Sequence, residues 1–232
     1  MPDAREIYSR HADEYDALVR CEDRAGNLLR AIRETVALDG ADVVELGAGT
    51  GRMTALLAPL VRSIRAFDIA PSMLALARRR LEREGVRNCA LCLADNAAVP
   101  VSDGTADLSI AAWTYGHQTV WREDSWRAPI EAALREMLRA LRAGGSAVVI
   151  ETLGTGHTTP FAPPLELARY YSVLEGEYGF ARAWVRTDYE FPTADEGERL
   201  VRFFFGEERA RVFASSRGTS MPECTGVWTR SK

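Results

Sequence analysis

Lysine is almost missing from this sequence: Lys232 is the only one among 29 basic residues, and 33 acidic residues leave a net charge of −4. A protein that binds nucleic acid usually presents a broad basic face, so this charge argues against nucleic-acid partners. The many arginines reflect sequence bias rather than phosphate binding. Residues 78–80, for example, are three arginines on a predicted helix among acidic side chains, where a solvated face is expected.

Long apolar runs and a secretory leader are also missing. No apolar stretch approaches the about 20 residues that cross a bilayer. Residues 1–6 do not contain the apolar core of a signal peptide. The sequence therefore predicts a cytoplasmic protein without a membrane partner.

Cysteine is too sparse for a disulfide framework or a metal centre. The four cysteines are scattered over 232 residues, and no second Cys pair or His-x-x-x-His sequence joins Cys89 and Cys92 to complete a zinc site. These two cysteines fall in a predicted strand, where residues three apart face opposite sides. The sequence predicts no metal, and it lacks the Gly-Lys-Ser/Thr sequence of a triphosphate site.

Residues 43–51 read Val-Val-Glu-Leu-Gly-Ala-Gly-Thr-Gly, an apolar run followed by alternate glycines. The apolar part predicts a buried parallel strand. Pro59 predicts that the helix after the turn ends near Ala58. The apolar positions of that helix have the spacing of a single face, and they are Met53, Leu56, Leu57 and Leu60.

The glycine turn favours a bound ligand. Glycine accepts a positive φ and lets a ligand lie against bare backbone, and the following helix directs N–H groups at the same place. The alternative is a strand-to-helix turn without a ligand. The spacing Gly-x-Gly-x-Gly differs from the Gly-x-Gly-x-x-Gly of a dinucleotide site, which argues against a nicotinamide cofactor.

Polar side chains follow the next two predicted strands. Asp68 ends the second strand, where its carboxylate can accept hydrogen bonds from both ribose hydroxyls of an adenosine. The alternative is a helix cap. After the third strand, Asp95 can accept from the exocyclic amine of adenine, and a backbone N–H at Asn96 or Ala97 can reach a ring nitrogen. The alternative there is an Asx turn.

These motifs, in this order and spacing, resemble those of the class I S-adenosylmethionine-dependent methyltransferases of the small-molecule type (methyltransferase domain 11/25-like). The resemblance covers residues 42–152 well and the C-terminal third only by strand pattern. It implies S-adenosylmethionine as cofactor and S-adenosylhomocysteine as product, with the glycine turn around the methionine end and Ile69 and Met73 on the adenine. The predicted cofactor-binding residues are Glu45, Gly47, Ala48, Gly49, Asp68, Ile69, Met73, Asp95, Asn96, Ala97, Trp113 and Tyr15.

An aromatic segment precedes the core. Small-molecule methyltransferases often carry a segment ending in Tyr-Asp that closes over the cofactor, and residues 8–16 are similar to it. Tyr8 and Tyr15 are therefore predicted lid residues. The alternative is a surface helix with two docked aromatic side chains.

Five predicted strand–helix units alternate, which requires a parallel, doubly wound α/β sheet. Gly144 and Gly145 are predicted to end the helix before the fifth strand. The resemblance implies a Rossmann-like, seven-stranded mixed sheet, mostly parallel, with helices on both faces and an antiparallel last strand. The first five strands are predicted at 43–46, 63–67, 89–93, 106–113 and 146–150, and the two late strands at 181–191 and 223–230.

We predict a single methyltransferase domain over residues 1–232. Helices are expected at 165–174 and around 200–205. The predicted parts of the domain are an N-terminal helical cap (1–36), a cofactor-binding core (37–152), and a lid and sheet-edge substrate region (153–232).

The implied reaction moves a methyl group in line from a sulfonium to a nucleophile. The protein mainly has to align the two reactants, which lowers the barrier by roughly 7–11 kcal/mol, and the sequence contains no catalytic triad. A base is needed only when the acceptor must lose a proton. His117 is the predicted base because an imidazole can take a proton near neutral pH, and Tyr115, Glu151 and His11 follow it. The alternative is a histidine that hydrogen-bonds only backbone or the cofactor.

The acceptor is predicted to be a small molecule. The Asn-Pro-Pro-Tyr signature of many methyltransferases that act on nucleic acids and proteins is absent at residues 112–115. The acceptor atom (O, N, S or C) and the oligomeric state stay open. Rival functions are a non-catalytic cofactor-binding or interaction protein and, less favoured, an NAD-dependent oxidoreductase. Aromatic residues at the predicted rim either wall a pocket or belong to the core: Trp113, Tyr115, Trp121, Trp126, Phe161, Tyr170 and Tyr171.

Overall fold

A computed structural model describes residues 11–121 and 125–232. The predicted lid residue Tyr8 lies outside these ranges. The strands are β1 (Asp42–Leu46), β2 (Ser63–Asp68), β3 (Cys89–Leu93), β4 (Ala106–Ala112), β5 (Leu141–Thr155), β6 (Ala181–Arg186), β7 (Tyr189–Glu190), β8 (Ser220–Met221) and β9 (Glu223–Ser231).

Seven of these strands form one mixed sheet in the order β3-β2-β1-β4-β5-β9-β6. Pairs among the first five strands are parallel, and β9 runs antiparallel to both of its neighbours. The predicted fold class is therefore confirmed. The chain leaves β1 toward β2 and β3 on one side and returns through β4 on the other, so the switch of direction lies between β1 and β4. Ligands of such sheets bind beyond the carboxyl ends of the strands at that point.

Helices cover both faces of the main sheet. They are α1 (Ala12–Val19), α2 (Asn27–Thr35), α3 (Arg52–Leu57, continued by a 3-10 turn at Ala58–Leu60), α4 (Pro71–Arg83), α5 (Gly116–Trp121), α6 (Arg127–Ala140), α7 (Leu165–Ser172, continued by a π turn at Val173–Glu177) and α8 (Ala194–Ser215). Among the described residues, no helix has both the length and the apolar composition that spanning a membrane requires.

The alternation of β1 shows why both faces are apolar. Val44 and Leu46 belong to the cluster that packs against α6 and α7, whereas Val43 belongs to the cluster that packs against α2 and α3. A parallel strand covered on both sides needs apolar residues at successive positions. A third cluster, with Leu18 of α1 and Leu200 of α8, lies outside the main sheet.

Two predicted boundaries are wrong. Helix α6 ends at Ala140, not at Gly144 and Gly145, because Leu141 is fully buried and already pairs with Ala106 of β4. Gly145 instead allows a close approach, since a Cβ there would lie 3.0 Å from the Asp107 carbonyl oxygen.

The predicted strand at 181–191 is two strands. It breaks at Thr187, whose buried hydroxyl donates to the Glu22 carboxylate at 3.0 Å. After the break, β7 pairs with β8 in a separate two-stranded sheet. The apolar run at 200–205 is the middle of the longer helix α8, which breaks at Gly206 with φ 84° and ψ 175°.

Candidate functional site

The glycine turn lies at the carboxyl end of β1, and its glycines at 47, 49 and 51 all have positive φ. A Cβ on Gly47 would lie 2.4 Å from the Thr114 side chain, and one on Gly51 would lie 3.0 Å from the Cβ of Ala77. These two glycines therefore allow the end of β4 and helix α4 to approach the turn. A Cβ on Gly49 would meet nothing within 4 Å, so this glycine faces open space at the switch point.

The amide groups of the turn are less available than the sequence suggests. The N–H groups of Gly47 and Ala48 both donate to the Phe67 carbonyl, at 2.8 and 2.9 Å, and that of Gly51 donates to the Ala48 carbonyl. The predicted bare backbone is thus wrong for these three amides. The first two join the turn to β2 and the third closes the turn on itself, because buried backbone N–H groups need partners.

Asp68, at the end of the neighbouring strand β2, hydrogen-bonds to the glycine turn. Its Oδ2 accepts the Gly49 N–H at 2.8 Å, and its Oδ1 accepts the Ala70 N–H at 2.8 Å. Burial raises the pKa of the Asp68 carboxyl, and the backbone N–H donors oppose that shift. The carboxylate therefore closes an Asx turn before α4 and also stands beside Gly49. Its contact with a ribose stays a prediction.

Glu45 lies beneath the turn. It is 2% exposed, and its Oε2 accepts a hydrogen bond from Thr54 Oγ1 at 2.6 Å. Burial raises the pKa of the Glu45 carboxyl to about 7. This side chain links β1 to α3, and its contact with a cofactor stays a prediction.

The predicted adenine side is formed after β2 and β3. Asp95 Oδ1 accepts the Ala97 N–H at 2.9 Å, which is the Asx turn named as the alternative. Asn96 Oδ1 is buried and has no hydrogen-bond partner among the described residues. Ile69 is 68% exposed, but Met73 is only 2% exposed, so the structure favours Ile69 alone for contact with a ligand.

Trp113 and Arg52 bring the ends of β1 and β4 together. Trp113 follows β4 with φ 49°, and the Arg52 Cζ lies 4.4 Å from the centre of its ring. Arg52 Nη1 also pairs with Glu22 Oε2 at 2.7 Å. Burial raises the pKa of the nearby Tyr15 hydroxyl to about 12, while the Arg52 charge opposes the shift. Arg52 therefore contacts the predicted residue Trp113 and interacts electrostatically with the predicted residue Tyr15.

Sequence reasoning missed Arg52 and Glu22. Arg52 directly follows the last glycine of the turn, so its position was a usable signal. Glu22 is 30 residues before Arg52 in the chain, and no pattern in the sequence indicated that the two would pair.

His117 lies in the first turn of α5. Burial lowers the pKa of its imidazole, and a hydrogen bond that the ring donates to the Trp113 backbone opposes the shift. The ring is therefore neutral at pH 7, the state that a general base requires. The backbone bond is also the alternative predicted from the sequence, and the base role stays a prediction.

Glu151 positions the turn that carries His117. Its Oε1 accepts the N–H groups of Tyr115 and Gly116, at 3.0 and 2.9 Å. Burial raises the pKa of the Glu151 carboxyl to about 7. Both predicted second-choice bases, Tyr115 and Glu151, are at most 2% exposed, which argues against contact with a substrate. The third, His11, packs edge-on against Phe203 at 5.1 Å between ring centres.

Most of the aromatic residues predicted to wall a pocket are core residues. Phe161 is 56% exposed, Trp113 is half-buried, and the side chain of Trp121 lies outside the described part. The exposed fractions of the other four are at most 6%, and they are Tyr115, Trp126, Tyr170 and Tyr171.

Residues 43–145 match the family model described as a methyltransferase domain. Malonyl-[acyl-carrier protein] O-methyltransferase of Acetivibrio thermocellus is 27% identical over 188 residues, which are 80% of this chain and 56% of that protein. Demethylmenaquinone methyltransferase of Thermus thermophilus is 33% identical over 151 residues, which cover 62% of this chain and 64% of the relative. The chain therefore spans less than two thirds of the length of either relative.

The fold is also similar to that of a methyltransferase of known structure. A crystal structure of an S-adenosylmethionine-dependent methyltransferase from Aquifex aeolicus superposes with a TM-score of 0.54 at 15% identity, covering 87% of each chain. The sequence match over residues 43–145 and the likeness of the fold point to the same kind of domain. The chain is therefore similar to the class I S-adenosylmethionine-dependent methyltransferases, in sequence over residues 43–145 and in fold.

Proposed function

We propose that this protein transfers a methyl group from S-adenosylmethionine to a small-molecule acceptor. The observation that carries the proposal is the bond between Asp68 and Gly49 at the switch point of the sheet. It places a carboxylate, which accepts hydrogen bonds from hydroxyl groups, beside backbone that faces open space.

Two buried polar atoms support the fit of a nucleoside at this place. Thr50 Oγ1 and Asn96 Oδ1 have no hydrogen-bond partner within the described residues. Buried polar atoms normally have partners, so each of them suits a ligand group or a water molecule. We assign the ribose hydroxyls to Asp68, the adenine edge to residues 95–97 and one adenine face to Ile69.

The cofactor and the protein chain have separate parts in the proposed methyl transfer. Bound S-adenosylmethionine supplies an electrophilic methyl group, and transfer leaves the electron pair of the broken bond on sulfur as S-adenosylhomocysteine. The chain's part is to align the acceptor and exclude water. For an acceptor that must lose a proton, neutral His117 takes that proton, and Glu151 keeps the His117 turn in place through its two backbone contacts.

The acceptor atom is not assigned by this proposal. One relative is named for O-methylation of malonyl-[acyl-carrier protein] and the other for methylation of demethylmenaquinone. Both names describe methyl transfer to a metabolite or to a carrier-bound acyl group. The small-molecule class that we carry over is that of the second name, since the acyl group of the first name is attached to a carrier protein.

Calorimetric titration of the folded chain tests the proposal. We expect S-adenosylhomocysteine to bind with a dissociation constant between roughly 1 µM and 1 mM, the usual range for enzyme substrates, and NADH not to bind. A native chain that binds NADH alone would establish the rival oxidoreductase. Binding of S-adenosylhomocysteine without methyl transfer across a broad metabolite screen would establish the non-catalytic alternative.

The base role of His117 has a separate test. We expect His117→Gln to lower kcat for an acceptor that must lose a proton by 10²–10⁴-fold and to abolish the acidic limb of the pH profile. Binding of S-adenosylhomocysteine should be retained, which shows that the site is intact. Full turnover by His117→Gln at every pH contradicts the role.

A further inference from the structure

A cavity of about 550 Å³ lies between the end of β5, the loop that follows it and helix α8. Its volume is in the range that holds small-molecule ligands. The walls are mainly apolar and aromatic, with Phe161, Phe204 and Phe205 among the lining residues. Phe161 is 56% exposed and stacks on His157 at 4.1 Å between ring centres. An exposed aromatic wall of this kind suits an apolar or aromatic ligand.

The cavity reaches both flanks of the proposed methyl-transfer site. Phe204 contacts Tyr15 edge-on, with 6.1 Å between the ring centres. Leu167, another lining residue, packs on Gly116, where an added Cβ would lie 3.2 Å from its Cδ1. Gly116 is the neighbour of His117. A molecule in the cavity is thus enclosed by side chains that touch the predicted lid residue on one side and the predicted base segment on the other.

One cation, Arg209, lines this cavity. Helix α8 breaks at Gly206, so Phe204 and Arg209 approach the cavity from separate helical segments. The guanidinium lies on the backbone of Gly156, where an added Cβ would be 2.2 Å from its Nη1. Arg209 forms no hydrogen bond or ion pair within ranges 11–121 and 125–232, although most partly buried arginines in proteins have such partners.

The charge of Arg209 is poorly balanced by the protein. Glu223 interacts with it electrostatically, and burial raises the pKa of that carboxyl to about 8. Glu223 is therefore mostly protonated at pH 7. Glu207, two residues before Arg209 in the chain, pairs with Arg202 at 2.8 Å. Among the described residues, no carboxylate forms a hydrogen bond or ion pair with Arg209, so a ligand anion suits it as a counter-charge.

We propose that this cavity holds the methyl acceptor, and that the acceptor is a small aromatic or otherwise apolar molecule with one carboxylate, which Arg209 binds. The inference rests on the proposed methyl transfer. A carboxylate fits better than a phosphate, because the cavity offers one planar guanidinium fork. A phosphate carries up to two charges and more acceptor atoms than this single side chain can satisfy.

The test uses 3-phenylpropionate and its uncharged isostere 3-phenylpropanamide as probes. Each is titrated into the full chain with and without saturating S-adenosylhomocysteine, and binding is followed by ligand-observed NMR. We expect the acid to bind the wild type at least 10-fold more tightly than the amide. Equal affinity for the two probes, or no binding of either to a chain that binds S-adenosylhomocysteine, overturns the proposal.

Variants test whether Arg209 causes the preference for the acid over the amide. Arg209→Met should remove the preference for the acid, and Arg209→Gln, which keeps hydrogen-bond donors without the charge, should do the same. Arg211→Met is the matched control, because Arg211 is an exposed residue of the same helix, and it should keep the preference. Phe161→Ala should weaken the acid and the amide by a similar factor. Preference for the acid in both Arg209 variants contradicts the assignment.

Failure of the two proposals can be told apart. A native chain that does not bind S-adenosylhomocysteine refutes the proposed function. The titrations without that compound still decide whether the cavity selects a carboxylate through Arg209. A chain that binds S-adenosylhomocysteine but does not prefer the acid refutes the assignment of the acceptor alone.

Discussion

Arg52 lies with its guanidinium carbon 4.4 Å from the centre of the Trp113 ring. Arg52 is the first residue of α3, and Trp113 directly follows β4, so this contact joins the two sides of the switch point. Trp113 has φ 49°, a conformation that costs a non-glycine residue about 1–2 kcal/mol. The cation–π contact and the bond from the Trp113 N–H to the Ile150 carbonyl at 2.7 Å hold it there.

The pair of Arg52 and Glu22 should show strong coupling. Both side chains are mostly buried, at 18% and 3% exposed, so removing one partner leaves the other charge uncompensated. We expect Arg52→Met and Glu22→Gln each to lower the free energy of unfolding by roughly 3–5 kcal/mol. The double variant should lose less than the sum, by roughly 1–3 kcal/mol. Urea unfolding of all four proteins measures the coupling.

The control for this cycle is the surface pair of Arg127 and Glu131, which are 53% and 23% exposed. Its coupling should be about 0.5 kcal/mol or less, because solvent screens exposed ion pairs. A coupling of Arg52 with Glu22 no larger than that of the surface pair contradicts the prediction.

Asp68 should determine cofactor affinity. In Asp68→Asn the ribose hydroxyls lose a charged acceptor, and a hydrogen bond to a charged group contributes roughly 1.5–3 kcal/mol. We expect the dissociation constant of S-adenosylhomocysteine to rise by roughly 10–100-fold, measured by calorimetry. Asp39→Asn, at an exposed position, should bind normally. Unchanged affinity in a folded Asp68→Asn variant removes Asp68 from the site.

Glycines 47 and 49 should respond differently to the same substitution. Gly47→Ala places a Cβ 2.4 Å from Thr114 at φ 73°, so we expect a loss of roughly 2–4 kcal/mol of stability from overpacking and backbone strain. Gly49→Ala meets nothing within 4 Å. It should lose about 1 kcal/mol from its positive φ and weaken binding of S-adenosylhomocysteine by at least 10-fold.

Two further variants separate strain from crowding at these glycines. Gly85→Ala, also at positive φ with nothing within 4 Å, reports backbone strain alone. Gly47→Ala combined with Thr114→Ala should recover part of the lost stability. Equal losses for Gly47→Ala and Gly85→Ala in thermal and urea unfolding would show that crowding by Thr114 is unimportant.

Stability should fall from pH 5 to pH 8. Burial raises the pKa of the Glu151 carboxyl to about 7 from a reference value of 4.5. The folded state therefore binds this proton more tightly than the unfolded state does. The stabilisation is complete below about pH 4.5 and is lost as pH rises through 7. For a fully buried group this contribution is on the order of 3 kcal/mol.

Glu151→Gln should reduce this slope, because an amide oxygen still accepts the N–H groups of Tyr115 and Gly116 but does not titrate. Glu45 and Glu223 have raised pKa values of the same sign, so part of the slope should remain. Glu34→Gln, at an exposed site, is the control. Parallel loss of stability in the wild type and Glu151→Gln between pH 5 and 8 would contradict this assignment.

Several parts of the fold followed from local sequence. The strand, glycine turn and helix at 43–60 were predicted correctly, because period, glycine and proline act over a few residues. The strand at Cys89–Leu93 was predicted with its observed limits. The helix before β5 was predicted too long, because burial and pairing of Leu141 overrode the glycine signal at 144 and 145.

The site was predicted less completely than the fold. Asp68 and the glycine turn lie together as expected, because the order of strands brings their ends together, and their contact with a cofactor stays a prediction. The exposed fraction of Met73 was not predictable, since it depends on what packs over the start of α4. Arg209 had no signal as a ligand-binding residue, because its cavity includes residues from the loop after β5 that are about 50 positions earlier in the chain.

The sequence by itself determined the alternation of strands and helices, the turn that needs positive φ and the polar residues at the strand ends. Only the tertiary structure decided which amides of the turn are already bonded, which aromatic residues are core, and that Arg52 and Arg209 lie where they do. The physical reason is the distance along the chain over which each interaction acts. Backbone preferences and periodicity act between neighbours in the chain, whereas burial, charge balance and cavity shape depend on residues that only the folded chain brings together.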